Sequence, residues 1–229
     1  MRIKLFYIKI FLIICINSVS AQSDPLIEKV NQKLSLVNDY VAEGVMKTNV
    51  SFIKATVGKV KVYFKKPNSL LIKKESGISL LPKGGVSLSL NSLLNTKQYT
   101  TIPAGVQVVD GRKLNVIKLI PIDDKLDWVI ATLWIDPIEN LVYKTATTTK
   151  DNGSYEIQMQ YGNYANYGLA SKIVFSFNTK DYKLPNGVTL EFGSDDDGVK
   201  KNSNKNKKGS IEITYNKYLI NKGVASSMF

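Results

Sequence analysis

Apolar side chains recur at steps of three or four over residues 24–38, DPLIEKVNQKLSLVN. Leu26, Ile27, Val30, Leu34 and Val37 fall on one helical face, with Glu28, Lys29, Asn31 and Lys33 on the other. Asp24 suits the N-cap, Pro25 the first helical position and Glu28 the first turn. The spacing predicts an amphipathic helix that must lie on an apolar surface. Beyond it the period drops to two. Val60, Val62 and Phe64 alternate with Lys59, Lys61, Tyr63 and Lys65, and Tyr155, Ile157, Met159 and Tyr161 alternate with Glu156, Gln158 and Gln160. Ile173, Phe175 and Phe177 repeat the pattern, as do Val188, Leu190 and Phe192, and then Ile211, Ile213 and Tyr215. One apolar and one polar face mark antiparallel strands wetted on one side.

Turn signals separate these runs: Lys66-Pro67-Asn68, Gly84-Gly85, Asp110-Gly111, Asp151-Asn152-Gly153 and Pro185-Asn186-Gly187. Asn152-Gly153 and Asn186-Gly187 have the composition of hairpin turns. The run from Trp128 to Ile135, WVIATLWI, is apolar on both faces. It predicts a strand covered on both sides or facing a non-aqueous cavity. Residues 86–94, VSLSLNSLL, read as a strand running into a short helix at Asn91 to Leu94.

The first 21 residues change the meaning of the composition. Arg2, Lys4 and Lys9 precede the apolar stretch Ile10 to Ile16, and Val19-Ser20-Ala21 supplies small residues for cleavage. This is the layout of a secretory leader, cut after Ala21. The apolar stretch is short for a span of about 30 Å of hydrocarbon. Bulky Ile14 before Cys15 does not suit a lipid-attachment box. Removal of residues 1–21 leaves 208 of 229 residues as one domain, 22–229, with a polar loop at 194–209. It takes the net charge from +12 to +9 and leaves Arg112 as the sole arginine.

The chain has no His, and its one Cys departs with the leader. That excludes a Ser-His-Asp triad, a Cys-His dyad, His-ligated zinc and disulfides. The Asp195-Asp196-Asp197-Gly198 run does not fit a calcium loop, because Gly193 and Asn204 fall where the first and last ligands belong. Asp123, Asp124, Asp127, Asp136 and Glu139 are read as turn acids, with Asp136-Pro137 as a strand exit. Lys200, Lys201, Lys205, Lys207 and Lys208 sit in a loop without aromatics, so base stacking is not expected there. No metal, cofactor, nucleic-acid partner or catalytic residue is expected. The 12 Tyr, 8 Phe and 2 Trp remain as material for an apolar cavity.

The order of these parts resembles the periplasmic outer-membrane lipoprotein-sorting (LolA/LolB-like) family. Residues 60–70, VKVYFKKPNSL, are similar to its strand ending in basic-basic-Pro-Asn. Leu133-Trp134-Ile135-Asp136-Pro137 with Leu141-Val142-Tyr143-Lys144 resembles its "Leu-Trp-Ile-Asp" strand and turn. Gly153, then Ser171 to Phe175, then Leu184 to Val188 resemble its closing strands. The likeness spans most of residues 24–192. Its usual Asp-Gly-x-x-x-Trp-x-Tyr hairpin is missing, and residues 76–95 are Gly-, Leu- and Ser-rich instead.

The resemblance implies an α+β, mainly antiparallel β fold. This is an unclosed half β-barrel of strongly curved sheet, with the N-terminal helix and short helices as a lid over a hydrophobic cavity. It implies a non-enzymatic periplasmic carrier or chaperone, expected as a monomer. Such a carrier binds lipoprotein acyl chains or related lipids for transfer to the outer membrane. An inner-membrane release complex and an outer-membrane receptor would be its partners. The expected cavity residues are Val60, Val62, Phe64, Leu70, Ile72, Trp128, Ile130, Leu133, Trp134, Ile157, Met159, Ile173 and Phe175. Leu26, Val30, Leu34 and Val37 form the lid helix. Lys66 stands where the family's lid-holding arginine stands, and is the candidate latch, a point donor without the planar fork. The alternative is a regulatory or scaffolding lipid-sensing protein on the same fold, RseB/MucB-like.

Overall fold

The computed structural model describes residues 24–50, 53–74, 90–94, 99–151, 153–178 and 208–229. The expected leader, the strand at 188–192, the Asn186-Gly187 turn and most of the 194–209 loop lie outside them.

Helix α1 spans Pro25–Ser35. Asp24 Oδ1 accepts the Leu26 N–H at 2.8 Å, which satisfies one of the unpaired donors of the first turn. Glu28 near the start and Lys33 near the end suit the helix dipole. Ile27, Val30 and Leu34 are buried. The helix ends three residues short of the predicted Asn38. The Leu36 N–H turns back to the Lys33 carbonyl at 3.3 Å, and the chain enters the first strand.

Ten strands follow: β1 (Asp39–Val50), β2 (Ile53–Lys65), β3 (Ser69–Lys74), β4 (Tyr99–Val109), β5 (Arg112–Pro121), β6 (Trp128–Asp136), β7 (Leu141–Thr149), β8 (Ser154–Tyr161), β9 (Ala170–Asn178) and β10 (Lys208–Ile220). A short helix α2 (Leu90–Leu94) lies between β3 and β4, as the sequence of residues 91–94 predicts. The strands form one sheet in the order β3-β2-β1-β10-β9-β8-β7-β6-β5-β4. Every pairing in it is antiparallel. β3 and β4 are its two edges, so the sheet is unclosed. The last strand enters between the first and β9, which joins the N-terminal meander to the central one.

Turn chemistry sets the hairpins. Asp110 and Gly111 have φ of 49° and 78° in the two-residue link between β4 and β5, the geometry that matches strand twist. Gly153, at φ 71°, closes the β7–β8 hairpin predicted from Asn152-Gly153. Gly44 has a different reason. A Cβ there would lie 2.3 Å from the Thr214 carbonyl oxygen, so only glycine lets β1 approach β10 at the Glu43/Gly44 bulge.

One face of the sheet meets α1 and α2. Met46, Val60, Ile117, Leu119, Leu133, Ile135, Ile157, Phe175, Ile211 and Ile213 join Ile27, Val30, Leu34, Leu93 and Leu94 in one buried cluster. The other face carries Lys61–Glu43 at 3.2 Å, and Lys144–Glu156 and Lys172–Glu212, both at 3.0 Å. Such exposed cross-strand pairs contribute a few tenths of a kcal/mol to about 1 kcal/mol each.

β6 departs from its sequence reading. It is not covered on both sides. Trp128, Ala131, Leu133 and Ile135 face the core, but Val129 is 48% exposed and Trp134 is half-buried on the outer face. A register shift between Trp128 and Ile130 places both Trp128 and Ala131 inward, with Ile130 outward opposite Thr148.

Candidate lipid-binding site

The helix is tied to the sheet by polar groups at its C-terminal end. Lys66 Nζ donates to the Ser35 carbonyl at 2.8 Å and to Asn38 Oδ1 at 3.3 Å. The Lys66 backbone N–H donates to the Asn38 carbonyl at 2.9 Å. From β10's end, Asn221 Nδ2 donates to the Leu36 carbonyl at 2.8 Å, and its Oδ1 accepts the Asn38 N–H at 2.7 Å. Lys33 Nζ reaches across to the Glu139 carbonyl in the β6–β7 turn at 2.6 Å. A cation against terminal helix carbonyls also complements the dipole. Lys66 therefore lies against the C-terminal end of the helix, with Asn221 as a second tie that no motif announces.

Beneath the helix the interior has two parts. Val30, Leu34, Leu90, Leu141, Val142 and Tyr161 meet with no room for a water molecule between them. Toward β3 the packing loosens. Tyr40, Val62, Leu70, Ile72, Ile173, Phe175, Ile211, Ile213 and Tyr215 line an apolar pocket of about 30 Å³. That is space for one or two waters, given the roughly 10–15 Å³ that one needs.

Five of the expected cavity residues line this pocket: Val62, Leu70, Ile72, Ile173 and Phe175. Phe64 lies beside it, stacked on Tyr40 with ring centroids 5.2 Å apart. Val60, Trp128, Leu133, Ile157 and Met159 are buried in the larger cluster under α1. Ile130 and Trp134 are on the opposite face of the sheet. Trp134 Nε1 donates to Gln107 Oε1 at 2.8 Å, and Lys144 Nζ lies 4.8 Å from its ring centroid. Of the lid residues, Val30 and Leu34 are buried in the cluster that α1 covers, with Leu26 packed against it. Val37 joins a second cluster with Ala42, Val62, Phe64, Leu169 and Tyr218. Sequence reasoning omitted Tyr40, Tyr215 and Tyr218. Ile211, Ile213 and Tyr215 carried a strand signal, but nothing marked them as pocket-facing.

Tyr40, Phe64, Tyr164, Tyr215 and Tyr218 form an aromatic nest beside the pocket. The Tyr218 hydroxyl donates to the Ala170 carbonyl at 2.8 Å, and the Tyr164 hydroxyl accepts the Tyr218 N–H at 3.4 Å. Burial pushes the Tyr40, Tyr215 and Tyr218 hydroxyls well above the ordinary tyrosine value. Tyr155, across the core, is raised to about 12 by the same cause.

The acids around β6 do turn work. Asp136 Oδ1 accepts the Ile138 and Glu139 N–H groups at 2.8 and 3.0 Å, which shapes the strand exit. Arg112 Nη1 lies 3.7 Å from Asp136 and 3.6 Å from Glu139, with its guanidinium over the Tyr143 ring at 4.5 Å. Among the described residues no group of three or more His, Cys, Asp or Glu could hold a metal.

The architecture is an open antiparallel sheet with one helix tied across its apolar face. No family model matches the sequence, and no curated protein matches it either. The fold is nonetheless similar to that of several solved structures. A LolA superfamily protein from Nitrosomonas europaea superposes with a TM-score of 0.56 at 13% identity, covering 93% of this chain and 98% of that one. A candidate outer membrane lipoprotein-sorting protein domain from Vibrio parahaemolyticus gives 0.54 at 9% identity, over 88% and 94% of the two chains. A DUF1329 family protein from Desulfovibrio piger gives 0.52 at 14% identity, over 89% and 94%.

Proposed function

We propose that this protein is a periplasmic carrier that takes up lipoprotein acyl chains, or related lipids, between α1 and the apolar face of the sheet. It would carry them toward the outer membrane. The observation that carries the reading is the tyrosine- and aliphatic-lined pocket of about 30 Å³ among the strands, together with a helix held to the same sheet by replaceable polar ties. The likeness in fold to LolA superfamily structures supports it. The work required is physical rather than covalent. An acyl chain exposed to water costs about 0.8 kcal/mol per CH₂, so an apolar shelter lowers the barrier to crossing an aqueous compartment. A chain without His and with no Cys after the leader is suited to this.

The pocket as it stands is far too small for an acyl chain, so uptake needs α1 to lift or β3 to swing outward. α1 is the better mover. Its ties to Lys66, Asn221 and Glu139 are hydrogen bonds on the exposed rim, each worth about 0.5–1 kcal/mol net, and water can replace them. The buried apolar face of α1 would then trade contacts with the sheet for contacts with the chain. Release follows when a membrane or receptor binds the chain more strongly. The donor is expected to be an inner-membrane release complex and the acceptor an outer-membrane receptor.

The test is native mass spectrometry of the exported protein, combined with extraction of an acylated lipoprotein from inner-membrane vesicles. Bound acyl species and extraction that depends on acylation are expected. A lipid-free protein that leaves the lipoprotein in the vesicles defeats the reading.

A further inference from the structure

Nine described residues line the pocket, seven with aliphatic or phenyl side chains and two with phenols. Among the described lining residues, Tyr40 and Tyr215 are thus the only ones with a polar side-chain atom. Their neighbours in the aromatic nest differ in one respect. Tyr218 donates to the Ala170 carbonyl and Tyr164 accepts from the Tyr218 N–H. Tyr40 and Tyr215 make ring contacts with Phe64 and Tyr218, yet their hydroxyls have no hydrogen-bond partner among the described residues. A tyrosine that only fills space in a core could be phenylalanine. Two hydroxyls without partners in an apolar surround carry a desolvation cost that something must offset.

We propose that Tyr40 and Tyr215 make the pocket selective for chains that carry a carbonyl, ester- or amide-linked acyl groups, over plain alkyl chains of the same length. The hydroxyls would donate to the carbonyl oxygen while Val62, Leu70, Ile72, Ile173 and Phe175 surround the methylenes. The proposal rests on the acyl-carrier reading above and narrows it to a class of ligand. A phenol has one proton to donate, and a carbonyl oxygen has two lone pairs, so one carbonyl can satisfy both tyrosines. The pocket's present volume suits one or two waters. Water held only by two phenols in an apolar lining is poorly bound, and a carbonyl that replaces it recovers the same hydrogen bonds in a dry site. A buried phenol stays protonated across physiological pH, so both tyrosines remain donors.

The experiment uses two lysophospholipids matched in headgroup and chain length, one acyl with an ester carbonyl and one alkyl with an ether oxygen. Their binding to the exported protein is titrated by displacement of a fluorescent fatty-acid probe. The wild type is expected to bind the acyl form about five- to tenfold more tightly. The double variant Tyr40→Phe/Tyr215→Phe is expected to bind both forms alike. Urea unfolding of the same variant checks that it folds. A wild type without preference, or a double variant that keeps it, overturns the proposal while leaving acyl carriage standing. If neither lysophospholipid displaces the probe, the carrier reading itself fails, and the selectivity falls with it.

Discussion

The interior is built differently on its two sides. Under α1 and α2, aliphatic chains close on one another: Leu119, Leu133 and Ile135 are fully buried, and the space against Val30 and Leu34 admits no water. Under β1–β3 and β10, tyrosine and phenylalanine rings stand among the branched chains and an apolar pocket persists. The first side reads as a structural core, held by packing density. The second holds flat side chains with polar tips, which pack less completely and leave something to recognise. In one sheet, stability and capacity are thus assigned to neighbouring strands.

Alkaline titration tests this division most severely. A tyrosine whose folded value is raised above that of the unfolded chain contributes fully below the unfolded value, near 10, and loses its contribution as pH rises through the folded value. On the tyrosine side burial raises Tyr40, Tyr215 and Tyr218; elsewhere Tyr161 is raised too, and Tyr143 and Tyr155 are raised to about 12. The urea midpoint is expected to fall steeply from pH 10 upward, ending in loss of the fold, with the tyrosine side losing hydrogen-exchange protection first. A midpoint held level through this range contradicts the burial of the phenols.

Leu133→Ala strikes the aliphatic side. Leu133 is fully buried, and the change is expected to cost about 2–5 kcal/mol in urea unfolding. A loss under about 1 kcal/mol means that this side is not close-packed. Tyr218→Phe sharpens the contrast within the aromatic nest. It removes the bond to the Ala170 carbonyl and is expected to cost about 1 kcal/mol, whereas Tyr40→Phe should stay within about 0.5 kcal/mol of wild type. Equal costs would place a partner on Tyr40. Lys66→Met is the mildest. Loss of the helix-terminal cation is expected to cost about 0.5 kcal/mol, while amide exchange in the last turn of α1 speeds up several-fold. Unchanged exchange there would remove Lys66 as a latch.

Much of this was legible before the structure. The helix, the inward faces of β2, β8 and β9, and Lys66 against the helix end follow from period, capping and motif. β1 escaped because its inward positions are Tyr40, Ala42, Gly44, Met46 and Thr48, too small or too polar to alternate visibly. β7 escaped in the same way, for it buries Thr145, Thr147 and Thr149. Ile130 and Trp134 were assigned to the cavity because an apolar residue on a two-faced strand gives no sign of which way it points. The register shift between Trp128 and Ile130 decided the matter. Tyr40 carried no sequence signal and Tyr215 only that of a strand, since a phenol without a partner resembles any other aromatic until its neighbours are known.

Among the described residues the sheet ends at β3 and β4 without closing, and this has one more consequence. In a closed barrel the hydrogen-bonded wall fixes the bore, and a larger guest would have to tear a seam. Here the frame has no seam to tear. Its nine strand pairings can stay intact whatever lies against the inner face. Any change in what the sheet holds would then be set by where the helix rests, as a drawer's contents are limited by how far it slides and not by the strength of the cabinet.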